Sequence, residues 1–165
     1  MEKCFGAEER HDQLIVLGTG HCVLIYGYGE EDGQGFDFRH HFNHMPTAEE
    51  VLEVITDHTD RGTDEKIITG YRWRGKNVKL STENQFNFKA AYDLAVQKGG
   101  ATLPVKFKLG ENNGIPQYYT FEDMETFSDF YTGANVFIQQ TLEAGWDVKD
   151  AAREWVNELF NEQNE

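Results

Sequence analysis

The residues with the strongest claim to chemistry are histidines. His40, His41 and His44 fall in the run His40-His41-Phe42-Asn43-His44, with His21-Cys22 upstream. Imidazole suits Zn, Cu or Ni, and thiolate suits Zn, so this is the one cluster whose residue types fit a metal. The spacing argues against it. Phe36 to Asn43 alternates apolar and polar residues, as a strand does, and successive strand side chains point to opposite faces. His40 therefore shares a face with Phe36, Phe38 and Phe42, while His41 shares the other with Asp37, Arg39 and Asn43. The pattern predicts structural or solvent-facing histidines and no cofactor, and leaves His40, His41 and His44 as a weak metal candidate.

Other reaction classes find less support. The only serines are Ser81 and Ser128, neither in a GxSxG elbow. Gly18-Thr19-Gly20 is no phosphate loop, because neither GxxxxGK[ST] nor a GxGxxG before a helix is present. Acids are abundant, yet none stands alone in an apolar setting that would tune it for proton transfer. The polar cluster Glu83-Asn84-Gln85 with Asn87 reads as local hydrogen bonding to free N–H groups at a helix start, or as a contact surface. No catalytic residue is expected, and the chain reads as a non-enzyme.

The elements that position these residues are legible in order. Leu14–Leu17 and Cys22–Tyr26 flank Gly18-Thr19-Gly20 and predict a hairpin or meander. Residues 30–35 predict a polar loop before the Phe36–Asn43 strand. Thr47 and Glu50 have capping-box spacing, and the helix they open should end at Thr59-Asp60-Arg61-Gly62. In residues 70–88, Gly75-Lys76 predicts a type II′ turn with Arg74 facing Asn77, Trp73 facing Val78, Arg72 facing Lys79 and Tyr71 facing Leu80. One face is then Tyr71, Trp73, Val78 and Leu80; the other is Arg72, Arg74, Asn77 and Lys79. Thr82 and Gln85 predict a second capping box, opening a helix to Lys98 with the stripe Phe86, Ala90, Ala91, Leu94, Ala95 and a stop at Gly99-Gly100. Leu103 to Leu109 alternates, with Lys106 and Lys108 outward, and residues 111–114 turn it back through Gln117–Thr120. Thr120 then caps a long helix bearing Met124, Phe127, Tyr131, Ala134, Ile138 and Leu142, with Phe130 and Phe137 as a second ridge. Gly145 ends it, and Asp147 caps a last helix.

These elements predict an α+β fold: an N-terminal β part, then antiparallel hairpins packed on helices in the order hairpin, helix, hairpin, long helix, helix. The expected division is 1–45 as a β-rich part, 46–62 as a connecting helix and 63–165 as an α+β domain. With 165 residues and 13% aromatics the chain is long enough for a filled core. Two scattered cysteines, no apolar leader in MEKCFGAEER and no run approaching ~18 apolar residues predict a protein made in a cytoplasm, with no membrane partner.

Charge is uneven along the chain. Residues 1–65 hold 15 acids and 4 bases, 66–110 hold 2 acids and 9 bases, and 111–165 hold 12 acids and 2 bases, for −11, +7 and −10 within a total of −14. A basic middle between acidic ends satisfies itself, within one chain or between copies. Nucleic-acid binding needs a basic surface that neighbouring acids do not cancel, so none is expected. Arg72, Arg74, Lys79, Lys106 and Lys108 form the expected basic patch; with Phe130 and Phe137 they are the candidate partner-binding residues.

The run from Gly70 to Phe88, with Val105-Lys-Phe-Lys, Tyr119-Thr-Phe-Glu-Asp-Met and Tyr131…Phe137-Ile-Gln-Gln-Thr-Leu-Glu-Ala-Gly-Trp146, resembles a small phage and prophage domain of unknown function. That domain occurs in tail-fibre and tail-fibre-assembly associated proteins and in virion proteins of phages of gut bacteria. The resemblance covers about residues 63–152 and contains no catalytic residue. It implies a virion structural or adaptor protein of a tail fibre, baseplate or head fibre. The implied partners are copies of itself, as dimer or trimer, and other phage structural proteins. The alternatives are a fibre-assembly chaperone absent from the mature particle and, further off, a metal-binding or enzymatic protein.

Overall fold

A computed structural model describes residues 1–18 and 20–162. The chain is α+β, as expected. In order it forms β1 (Glu2–Phe5), β2 (Gln13–Leu17), β3 (His21–Glu31), β4 (Gln34–Phe42), α1 (Ala48–Thr69), β5 (Arg72–Trp73), β6 (Lys76–Asn77), α2 (Thr82–Gln97), β7 (Val105–Asn112), β8 (Ile115–Phe121) and α3 (Met124–Glu162). It divides into two compact units, Met1–Asp60 with Trp146–Glu165, and Arg61–Gly145. Both α1 and α3 contribute to each.

The first unit carries an antiparallel sheet in the order β1-β4-β3-β2. Cys22, Leu24, Tyr26 and Phe42 from its strands bury themselves against Val51 and Ile55 of α1 and Ala152 and Val156 of α3. Thr47 and Glu50 make the expected capping box: the Thr47 amide donates to Glu50 Oε2 at 2.8 Å, and the Glu50 amide donates to Thr47 Oγ1 at 3.3 Å. Strand β1 forms from residues that carry no apolar run, and β3 and β4 reach into the expected loop of residues 30–35, which shrinks to Asp32-Gly33.

The second unit packs the β5–β6 and β7–β8 hairpins on α2 and on parts of α1 and α3. Phe121, Phe127 and Phe130 are fully buried at its centre, with Tyr71, Trp73, Val78, Leu80, Phe88 and Leu109 around them. The first hairpin corrects the expected turn. Its pairs are Arg72 with Asn77 and Trp73 with Lys76, so the loop is Arg74-Gly75 and not Gly75-Lys76. Both loop residues have positive φ, 46° and 75°, as in a type I′ turn. The pairing partners move by two residues, which preserves the alternation. A shift by one would have exchanged the faces. Tyr71, Trp73, Val78 and Leu80 accordingly remain together and buried. Asp32-Gly33 and Asn113-Gly114 use the same positive-φ pair.

Further corrections concern helix ends. Ser81, not Thr82, caps α2: its Oγ accepts from the Asn84 amide at 3.4 Å, and helical geometry begins at Thr82. Gln85 instead donates to the Leu80 carbonyl at 2.7 Å and Asn84 to that of Lys79 at 2.8 Å. Gly99-Gly100 ends the helix as expected, with the Gly100 amide on the Ala95 carbonyl at 2.8 Å. The buried stripe of α2 is Phe88, Ala91, Tyr92 and Ala95, whereas Phe86 and Leu94 of the expected stripe are exposed. Thr120 lies in β8, and Asp123 caps α3 by accepting from the Thr126 amide at 2.7 Å.

Neither Gly62 nor Gly145 ends a helix, and Asp147 begins none. Helix α1 continues through Gly62 to place Ile67 in the second core. Helix α3 is continuous over 39 residues. A Cβ at Gly145 would lie 2.6 Å from Thr63 Oγ1, so this glycine serves close approach of the two helices inside the second unit.

Candidate interaction surface

The histidines do not converge. His41 is exposed, while His40 is half-buried against Phe42, with ring centroids 4.7 Å apart. Burial lowers the pKa of His40 from its ordinary value. His44 is engaged at both ring nitrogens, by Asn43 Oδ1 at 3.0 Å and Glu50 Oε1 at 2.9 Å. Cys22 is fully buried with its thiol 3.5 Å from Met45 Sδ. Among the described residues, no three His, Cys, Asp or Glu side chains are grouped to hold a metal ion. The buried Asp37 receives two hydrogen bonds from Arg39, at 2.8 and 2.9 Å. This fork leaves the carboxylate paired rather than poised for reaction.

The five candidate basic side chains fall into two sets. Lys79 and Lys108 line a polar cleft of about 330 Å³ with Ser81, Glu83, Asn84 and Glu111. Arg72 and Lys79 line a neighbouring cleft of about 410 Å³ with Thr69, Asn77 and Glu111. The strand edge that joins them is built by the Lys79 amide on the Leu109 carbonyl at 2.7 Å, and by Asn77 donating from its amide to Gln117 and from its side chain to the Glu111 carbonyl. Gly110 permits this approach, since a Cβ there would lie 2.5 Å from the Asn77 carbonyl oxygen. Glu111 pairs with Lys108; their hydrogen bond raises the lysine pKa and lowers that of the carboxylate.

Arg74 and Lys106 stand outside these clefts. The Arg74 guanidinium stacks 4.7 Å from the Trp73 ring and donates to Tyr119 Oη at 3.2 Å. The Lys106 ammonium sits 4.9 Å over the Tyr118 ring. All five basic residues are exposed, but the expected five-residue patch is divided: Arg72, Lys79 and Lys108 line the two clefts together with Glu83 and Glu111, Lys108 being paired with Glu111, and Arg74 and Lys106 lie over aromatic faces.

Phe130 is not available to a partner. It is fully buried, within 5.2 Å of the Trp73 ring and 5.1 Å of the rings of Phe88 and Phe121. Phe137 is half-buried against Tyr71, with centroids 5.3 Å apart. The sequence did not reveal an apolar cleft of about 270 Å³ between α2 and α3, lined by Leu80, Phe86, Phe88, Tyr131, Ala134 and Ile138. Phe86, 71% exposed, stands at its rim. The signal was present in the helix register: Phe86 lies off the stripe that runs through Phe88, Ala91, Tyr92 and Ala95. Among the described residues no helix is long and apolar enough to cross a membrane.

The structure also redistributes the charge. The first unit holds 19 acids and 5 bases, or −14, and the second holds 10 of each. The second unit is therefore balanced overall while presenting a local basic edge. Compared with known proteins, the chain matches no family model, no curated protein and no solved structure.

Proposed function

We propose that this protein is a non-enzymatic structural adaptor of a bacteriophage particle, placed in a fibre or appendage, that acts by associating with copies of itself and with neighbouring virion proteins. The reading rests on the resemblance of residues 63–152. The observation that carries it is the α2–α3 cleft: an exposed aromatic side chain, Phe86, over an apolar floor, on the same unit as the basic edge of Arg72, Lys79 and Lys108. An apolar pocket beside exposed charge is the arrangement of a contact surface, with an anchor site and a polar rim. Arg72 and Lys79 outnumber the single carboxylate, Glu111, of their shared cleft, and Glu111 is itself paired with Lys108, so this cleft suits an acidic neighbour.

The experiment is incorporation into particles. In a phage carrying this gene, mass spectrometry of purified virions should find the chain at stoichiometric level. The double substitution Arg72→Glu with Lys79→Glu, at exposed positions, should deplete it from particles while leaving the melting temperature unchanged within the effect of ordinary surface changes, about 0.5 kcal/mol. Absence of the wild-type chain from virions, with presence in infected cells, would assign it to assembly as a chaperone instead.

A further inference from the structure

The four-stranded sheet of the first unit has two edges of opposite character. Strand β1 is four residues long and reads Glu2-Lys3-Cys4-Phe5. Its Lys3 pairs with Glu31 at 2.6 Å and lies 3.8 Å over the Phe36 ring. A very short edge strand carrying a lysine is one way in which proteins blunt a sheet edge. Strand β2 reads Gln13-Leu14-Ile15-Val16-Leu17. It has no charge and no proline, and it pairs with β3 in unbroken register from Gln13 opposite Ile25 to Leu17 opposite His21. Among the described residues, no strand pairs with its other side. Val16 and Leu17 are 57% and 47% exposed.

From this asymmetry we infer that β2 is the self-association edge: β2 of one copy adds antiparallel to β2 of a second copy across a two-fold axis at Ile15, joining two four-stranded sheets into one of eight strands. The inference rests on the self-association part of the proposed function and assigns the surface that the reading leaves open. The strand is complementary to itself. In this register Ile15 faces the partner's Ile15, Leu14 faces the partner's Val16, and Gln13 faces the partner's Leu17. Leu14 and Val16 lie opposite the core residues Leu24 and Cys22, so they share the core face. The axis keeps both core faces on one side, and the exposed Val16 gains the partner's Leu14 as a cross-strand neighbour. Gln13–Leu17 contains no charged residue, so no like charges oppose each other along the paired strands. An interface that uses the same patch twice closes at two copies.

The charge division gives this contact a signature. Each first unit carries −14, so two of them repel, and β2 is a stretch that adds nothing to that repulsion. Raising ionic strength from about 0.1 M to about 1 M shortens the Debye length from ~10 Å to ~3 Å and should tighten the dimer. Docking of the basic edge of the second unit on an acidic surface would loosen under the same change.

The test uses the full chain carrying Cys4→Ser. Ile15→Cys places two thiols at paired strand positions, whose Cα atoms are about 4.5–5.5 Å apart, inside disulfide range. Mild oxidation should give a covalent species of twice the 19.0 kDa chain mass; Phe5→Cys on the opposite edge should not. Val16→Lys with Leu17→Lys should raise the dissociation constant measured by sedimentation at least about tenfold, and salt should strengthen association of the wild type. Cross-linking of Ile15→Cys no greater than that of Phe5→Cys overturns the inference, and so does association that weakens with salt. A wild type that sediments as a 19.0 kDa monomer at all concentrations also overturns it, while leaving virion incorporation to decide the adaptor reading separately.

Discussion

Replacing Phe130 by alanine separates the two roles that this residue could have. The sequence placed it on a ridge available to a partner; the structure buries it completely among Trp73, Phe88 and Phe121. Truncating a fully buried phenylalanine costs about 3–5 kcal/mol, through lost transfer energy and the cavity left behind. Edge-to-face contacts with Trp73 and Phe88, at interplanar angles of 77° and 90°, place the expected loss in the upper part of that range. For a chain of this length, about 4 kcal/mol corresponds to a fall in melting temperature of roughly 8–16 °C. Urea unfolding followed by hydrogen-exchange mass spectrometry of peptides covering β5–β6 and the start of α3 would read the loss in the second unit itself. Phe137→Ala is the control: it is half-buried and should lose only about 1–2 kcal/mol. A Phe130→Ala protein destabilised by less than about 1 kcal/mol, yet impaired in association, would refute the core assignment and restore Phe130 to a partner surface.

The remaining predictions concern caps, glycines and titration. Ser81→Ala should destabilise α2 by about 1 kcal/mol in chemical denaturation, and Thr82→Ala by no more than a few tenths; the reverse order would return the cap to Thr82. Gly62→Ala, into open space on helical backbone, should stabilise by about 0.5–1 kcal/mol. Gly110→Ala, whose Cβ meets the Asn77 carbonyl oxygen at 2.5 Å, should destabilise and shift the β6–β7 amide signals. The Thr47 backbone hydrogen bond, then that from His44, holds the Glu50 carboxyl below its ordinary 4.5. A depressed carboxyl stabilises the fold above its unfolded pKa and loses that contribution as pH falls through the folded value. The melting-temperature gap between wild type and Glu50→Gln should therefore be constant near neutrality and close as pH drops below about 4.5; a gap that widens on acidification would contradict the capping box.

What the sequence alone determined here is what short-range physics controls. Alternation puts Tyr71, Trp73, Val78 and Leu80 on one buried face whether the turn is Gly75-Lys76 or the observed Arg74-Gly75, because a displacement of two residues keeps strand parity. The Thr47–Glu50 cap was legible because both partners lie within one helical turn. The Gly99-Gly100 stop was legible because its hydrogen bonds close on Ala95 and Val96. Three features needed the tertiary structure. Whether a glycine ends a helix or admits a neighbour depends on what approaches it, and only the fold brings Thr63 to Gly145. Whether an aromatic side chain is core or surface depends on helix rotation, which buried Phe130 and exposed Phe86. The grouping of charge depends on which segments fold together: the basic middle seen along the chain becomes a balanced unit once residues 61–65 and 111–145 join it, and the whole −14 falls on the sheet unit. Contacts between residues distant in sequence set all three, and no local pattern encodes them.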